Sequence, residues 1–132
     1  MTTSTIGRYA SDDPESLSAE ATYFNGLVTA TTVPRLPNRE FELGDFNLQA
    51  DLTLANLQVA LQNAGSTMAN VLHLTIYLTN IDDWSSFNDS YRRYFPKPYP
   101  VRCAVAVKEL AIPGMRVEVT AIAAQIPEPA AG

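Results

Sequence analysis

Two charged side chains stand where apolar strands should run: Arg102 within Val101 to Val107, and Glu118 between Val117 and Val119. A guanidinium is seldom buried without an anion to satisfy it. Arg102 therefore implies a carboxylate, either an Asp or Glu of the protein in a salt bridge or an acid brought in as a ligand. On this residue alone both remain open. Arg102 and Glu118 could pair with each other, or be two polar walls of one pocket. In such a pocket the guanidinium grips a carboxylate bidentately while the carboxyl group handles a proton or a water.

Other reactive side chains point less firmly. His73, alone in Val71 to Leu78, reads as a satisfied sheet residue, since no Cys or Asp spacing makes it a metal ligand. Cys103 follows Arg102 directly, so strand alternation turns it to the opposite face, where it reads as buried and inert. The aromatic series Trp84, Phe87 and Tyr91 reads as core rather than as a ligand platform. There is no glycine-rich phosphate loop, no paired-cysteine motif and no Ser-His-Asp order. Nucleotide, metal and covalent chemistry thus lose their usual sequence support.

The chain that must position these residues is 132 residues long and 46% hydrophobic, which suits one domain with its own core over residues 1–132. A formal charge of -5, with nine scattered Lys and Arg, argues against nucleic acid as a partner. A single cysteine fits a reducing compartment, and neither a signal-like segment nor an apolar run of membrane length occurs, so a cytoplasmic location without a membrane partner is expected.

Residues 1–20, rich in Ser, Asp and Glu, read as an arm whose order depends on what it packs against. Ala21 to Val33, with Asn25-Gly26 in the middle, predicts a hairpin with a tight turn, closed by Pro34 and Pro37. Pro34 to Gly44 is a surface loop. Asp45 is then the N-cap of a helix from about Phe46 to Ala64, whose Leu48, Leu52, Ala55 and Val59, with Leu54, Leu57 and Leu61, fill one broad face, and Gly65 stops it. Val71 to Leu78 is nearly continuous and apolar, as a central strand covered on both faces would be. Asp82 or Asp83 caps a second helix, with Trp84, Phe87, Tyr91 and Phe95 at core-facing spacing until Pro96. Strands follow at Val101 to Val107 and Met115 to Ala124, and residues 126–132 read as a frayed tail. This order gives an α+β layer, a mixed sheet with two helices on one face. The uncovered face is apolar on these strands, and a lone domain seldom leaves such a patch exposed, so assembly through the sheet is expected.

Three blocks carry a resemblance to a known family. They are Asn70 to Trp84, Phe87 to Phe95, and Pro100 to Val107 taken with Val117 to Ala123; together with a weaker similarity over Asp45 to Gly65 they resemble the Rid family of reactive-intermediate deaminases, also called YjgF. The resemblance covers roughly Asn25 to Gln125. It implies a chorismate-mutase-like α+β fold assembled as a homotrimer, with sites in the clefts between subunits. It also implies cofactor-free hydrolysis of small enamine and imine carboxylates, such as 2-aminoacrylate, to the 2-keto acid and ammonia. In that scheme Arg102 holds the substrate carboxylate, Glu118 positions the attacking water, and Asn88 falls on the family's helix asparagine.

The departures bear on the same pocket. Where the family shows Ser-Gly-Gln, this chain has Ala30-Thr31-Thr32, so a threonine replaces a glycine whose backbone approaches the ligand. Thr31 and Thr32 then become candidate hydroxyl contacts, although hairpin threonines also serve simply as strand residues. The family cysteine two residues after the arginine corresponds to Ala104. Its N-terminal tyrosine aligns near Leu17 or Ser18. The alternatives to a 2-aminoacrylate deaminase are a relative acting on a larger or cyclic imine, and a non-catalytic trimeric binder of carboxylated metabolites. Ribonuclease activity, associated with some relatives, fits the acidic charge least.

Overall fold

A computed structural model of the chain describes residues 5–126. Its strands are β1 (Gly7–Tyr9), β2 (Ala21–Phe24), β3 (Leu27–Thr32), β4 (Val71–Leu78), β5 (Val101–Ala106) and β6 (Val117–Ala124), with helices α1 (Phe46–Asn63) and α2 (Trp84–Tyr94). The six strands form one mixed sheet in the order β1-β2-β3-β6-β4-β5, antiparallel except for β4 beside β5. The α+β architecture expected from the sequence is therefore present. The expected tail beyond residue 126 lies outside the described residues.

The hairpin turns where Asn25-Gly26 places it, with φ of 51° and 81° at these two positions. Two successive positive φ values match the twist of the flanking strands. The acidic arm is more ordered than its composition suggests. Residues 7–9 add an edge strand to β2, and Gly7 is required there because a Cβ would collide with the Tyr23 ring. Further along the arm, Arg35 lies 3.5 Å from Asp13, and Arg39 donates to the Asp12 carbonyl at 2.9 Å. These contacts across the sheet edge are what a window of sequence cannot register.

Helix α1 begins as expected, with Asp45 accepting from the Leu48 amide. Its buried face differs from the expected one. Phe46, Gln49, Ala50, Thr53, Leu54, Leu57, Ala60 and Leu61 are buried, whereas Leu48 and Val59 face outward. Two polar residues take inward positions. Gln49 is held there by the Gly44 and Gly114 carbonyls and the Arg116 amide; the Thr53 backbone carbonyl accepts the Thr32 hydroxyl, while the Thr53 hydroxyl itself has no hydrogen-bond partner among the described residues. The entrance to α2 also differs. Neither acid caps the helix by its side chain; Asn80 accepts from the Asp82 amide, and both carboxylate oxygens of Asp83 accept from Arg116 at 2.8 Å.

Both helices pack on one face of the sheet, where Leu54, Leu57, Leu61 and Phe87 meet Leu74, Ile76, Leu78, Val117 and Val119. The opposite face is bare. Leu27, Val101, Val105 and Ile122 are between 39% and 68% exposed there. Consequently β4 is interior to the sheet, as expected, but is covered on one face only within the chain.

Candidate functional site

Arg102 sits on β5, the edge strand, in register with buried Leu74 of β4, so its side chain leaves the sheet on the helix-covered face. Helix α2 meets it there. Trp84, Asn88 and Tyr91 recur at spacings of four and three, which places them along one side of the helix. The Arg102 guanidinium carbon lies 4.6 Å from the Trp84 ring centroid and 4.2 Å from that of Tyr91. Asn88 Oδ1 accepts from Arg102 Nη1 at 2.7 Å. The cation is thus held by two π faces and one amide oxygen.

No carboxylate of the described residues lies in ion-pair contact with Arg102, although Arg35, Arg39, Arg92, Arg93 and Arg116 each have one. The salt bridge within the chain is therefore not what Arg102 is for. A guanidinium has five N–H donors; Asn88 takes one, and the remainder form a fork suited to a planar oxyanion. Burial raises the pKa of the Tyr91 phenol, an effect partly offset by the neighbouring Arg102 charge. Tyr91 thereby stays neutral beside the cation.

Glu118 and Arg102 do not meet. Glu118 lies opposite Tyr77 in the β4–β6 ladder, on the bare face of the sheet, while Arg102 is on the helix face with β4 between their strands. Pairing of the two within one chain is excluded by this alternation. Glu118 is half-buried, and loss of water pushes its carboxyl above the usual carboxylate range.

The two threonines separate in the same way. Thr31, on the bare face with Glu118, shares a hydrogen bond with the Thr120 hydroxyl at 2.8 Å. Thr32 does not face a ligand: it is buried and donates to the Thr53 carbonyl at 2.9 Å. Cys103 is turned away from Arg102 as alternation requires, yet it is exposed, because β5 has no neighbour on its outer side. His73 is half-buried on the bare face, its Nδ1 3.4 Å from the Thr75 hydroxyl. Leu17 is fully exposed.

Periodicity assigns Trp84, Phe87 and Tyr91 to the core, and there Phe87 and Tyr91 are buried with Trp84 packed against them. Trp84 and Tyr91 also turn a ring face to Arg102, a contact that the placement of β5 beside α2 creates and that spacing alone does not show. The candidate residues thus fall into two groups: Arg102 with Asn88 at the β5 edge, and Glu118 with Thr31 on the bare face. No group of three or more His, Cys, Asp or Glu side chains converges among the described residues, and no described helix is long and apolar enough to cross a membrane.

Residues 14–125 match a family described as endoribonuclease L-PSP. Protein mmf2, mitochondrial, from Schizosaccharomyces pombe is 31% identical over 108 residues, 80% of this chain and 86% of that protein. The 2-iminobutanoate/2-iminopropanoate deaminase of Capra hircus is 40% identical over 79 residues, covering 60% of this chain and 57% of that enzyme. The chain therefore aligns with little more than half of that deaminase. Among solved structures, a protein of unknown function of the conserved Rid family from Yersinia pestis superposes with a TM-score of 0.83 at 29% identity, over 91% of this chain and 99% of the other.

Proposed function

This chain belongs to the YjgF/Rid family, and from that premise we propose that it is a cofactor-free hydrolytic deaminase of small enamine and imine carboxylates of the 2-aminoacrylate type. The observation that carries the reading is Arg102, a cation clamped on the helix side with no protein carboxylate and a fork of donors free for an acid. Relatives named 2-iminobutanoate/2-iminopropanoate deaminase support the substrate class. The family description as an endoribonuclease is the weaker guide here, because a net charge of -5 repels a phosphate backbone.

In this reading the substrate carboxylate docks on Arg102, and protonation of the enamine carbon gives the 2-imino acid. Water adds to the carbon of the protonated imine as Glu118 takes one of its protons, giving a carbinolamine. Returning that proton to nitrogen makes ammonia the leaving group, and the C–N bond breaks as the hydroxyl gives up its proton to form the carbonyl of the 2-keto acid. Arg102 supplies orientation and charge stabilisation throughout. Glu118 reaches a substrate held by Arg102 when a second copy packs its bare sheet face along the β5 edge, as in a homotrimer with sites between subunits. Thr31, beside Glu118, is then a wall of the same cleft. A reducing compartment such as the cytoplasm suits the exposed Cys103 thiol.

A second reading follows from Ala104, which shares the Arg102 face and adds little bulk beside the clamp: a larger or cyclic imine as substrate. The test for both is release of ammonia and keto acid from 2-aminoacrylate generated in situ, alongside a panel of bulkier imines. Arg102→Ala is expected to lose about 10²-fold in kcat/KM, the cost of a charged bidentate contact. Equal rates with and without Arg102 overturn the proposal, and a best substrate other than 2-aminoacrylate selects the second reading.

A further inference from the structure

We infer that Trp84 and Tyr91 are positioning residues of the anion clamp: their rings fix the plane of the Arg102 guanidinium and so set the affinity for the substrate carboxylate. This rests on the reading of Arg102 as the carboxylate site and extends it to two residues that make no polar contact with a substrate.

Arg102 is borne by an edge strand whose flanking residues Val101 and Cys103 are exposed. A long side chain in that setting samples many rotamers, and ordering it on binding weakens the complex. The two rings remove that freedom beforehand. Their centroids lie 4.6 Å and 4.2 Å from the guanidinium carbon, both within cation–π range. Because the rings occupy the π surface of the cation, its N–H edges stay directed at hydrogen-bond acceptors, and Asn88 Oδ1 fixes one of them. A planar carboxylate is the group that matches such an edge.

The rings are themselves held in place. Trp84 stacks on buried Phe87 with an interplanar angle of 6°, and Tyr91 stacks on Phe95 at 4.5 Å between centroids. The Tyr91 hydroxyl is buried and has no hydrogen-bond partner among the described residues, so what this side chain offers the site is its ring. Helix α2 therefore transmits the rigidity of the core to a side chain on an edge strand.

Trp84 is the only tryptophan in the chain, so its emission reports directly on what Arg102 binds. The experiment titrates the full-length protein with pyruvate, followed by Trp84 fluorescence and by calorimetry. It then repeats the calorimetry and the 2-aminoacrylate kinetics on Trp84→Leu, Trp84→Phe and Tyr91→Phe. Wild type should show saturable fluorescence change. Trp84→Leu should bind pyruvate about ten-fold more weakly and raise KM by a similar factor, with kcat changed less than about three-fold. Both Phe variants keep a ring and should stay within about two-fold of wild type. A melting curve of Trp84→Leu within a few degrees of wild type is expected, because Trp84 is only half-buried and its loss spares the core.

Wild-type pyruvate affinity in Trp84→Leu overturns the inference, as does a loss in Trp84→Phe equal to that in Trp84→Leu. Pyruvate binding by wild type without any turnover removes the deaminase reading, and the calorimetric series still decides the role of the rings. Wild type that binds no pyruvate removes both.

Discussion

A carboxyl group that loses water on folding holds its proton more tightly, and Glu118 is displaced above its ordinary range for that reason. Between its unfolded and folded pKa values the native protein binds more protons than the unfolded chain, so stability falls as pH rises through that window. Glu118→Gln removes the titration. Its melting temperature at neutral pH should equal or exceed that of wild type, and the decline across the window should flatten. On the proposed role of Glu118 as general base, activity should move the other way, with a loss of about 10²–10⁴-fold. The acid limb of the wild-type pH–rate profile, placed above the usual carboxylate range, should vanish with it. A variant with the wild-type pH–rate limb would assign that limb to another group. Arg102, Glu118 and Asn88 were legible in the sequence as polar residues in family-like blocks, and the first two also as charges interrupting apolar strands. The core packing of Trp84 and Tyr91 was legible too, but their contact with Arg102 was not, since a helix face that packs a core and one that clasps a cation carry the same spacing. The exposure of Cys103 was equally hidden, because strand order, not composition, made β5 an edge.

The elements hold the two groups of candidate residues through a few buried polar contacts. Gln49, fully buried on α1, accepts from the Arg116 amide at 2.8 Å and donates to the Gly114 carbonyl at 3.1 Å, which ties the helix to the approach of β6 two residues before Glu118. Arg116 in turn grips Asp83 at the head of α2, next to Trp84. One network thus sets the entry of both elements that carry the candidate residues Asn88 and Glu118. Gln49→Leu leaves an amide and two carbonyls without their partner. The expected loss is about 2–4 kcal/mol of unfolding free energy, measured by denaturant titration, since each buried orphan costs about 1–3 kcal/mol. A loss under about 0.5 kcal/mol, the usual scale of a surface substitution, would mean that the loop does not depend on Gln49. The bounds of the helices and main strands followed from periodicity and turn residues. The inward face of α1 did not, because Gln49 is buried for hydrogen bonds to segments distant in sequence, while Leu48 and Val59 point outward. β1 escaped for a similar reason: it exists as the partner of β2.

At the scale of the whole molecule, the sheet sets the two groups of candidate residues back to back. Arg102 and Asn88 lie on the helix side of its β5 edge, and Glu118 and Thr31 lie on the bare side, with exposed Val101, Val105 and Ile122 alongside them. Apolar exposure of this kind favours a second copy over water. If that copy contributes Glu118 to the cleft that holds the first copy's Arg102, each chain donates one half-site and receives the other. Arg102→Ala and Glu118→Gln are then complementary lesions. Each variant alone should keep at most about a hundredth of wild-type activity, whereas subunits exchanged by co-refolding at equal concentration should regain activity at about a quarter of the sites, the fraction in which an intact Arg102 faces an intact Glu118 around a closed ring. Mixing without exchange of subunits should recover nothing. Co-refolded mixtures as inactive as their parents would place both groups in a single copy's site, and the alternation of β5 and β6 argues against that outcome.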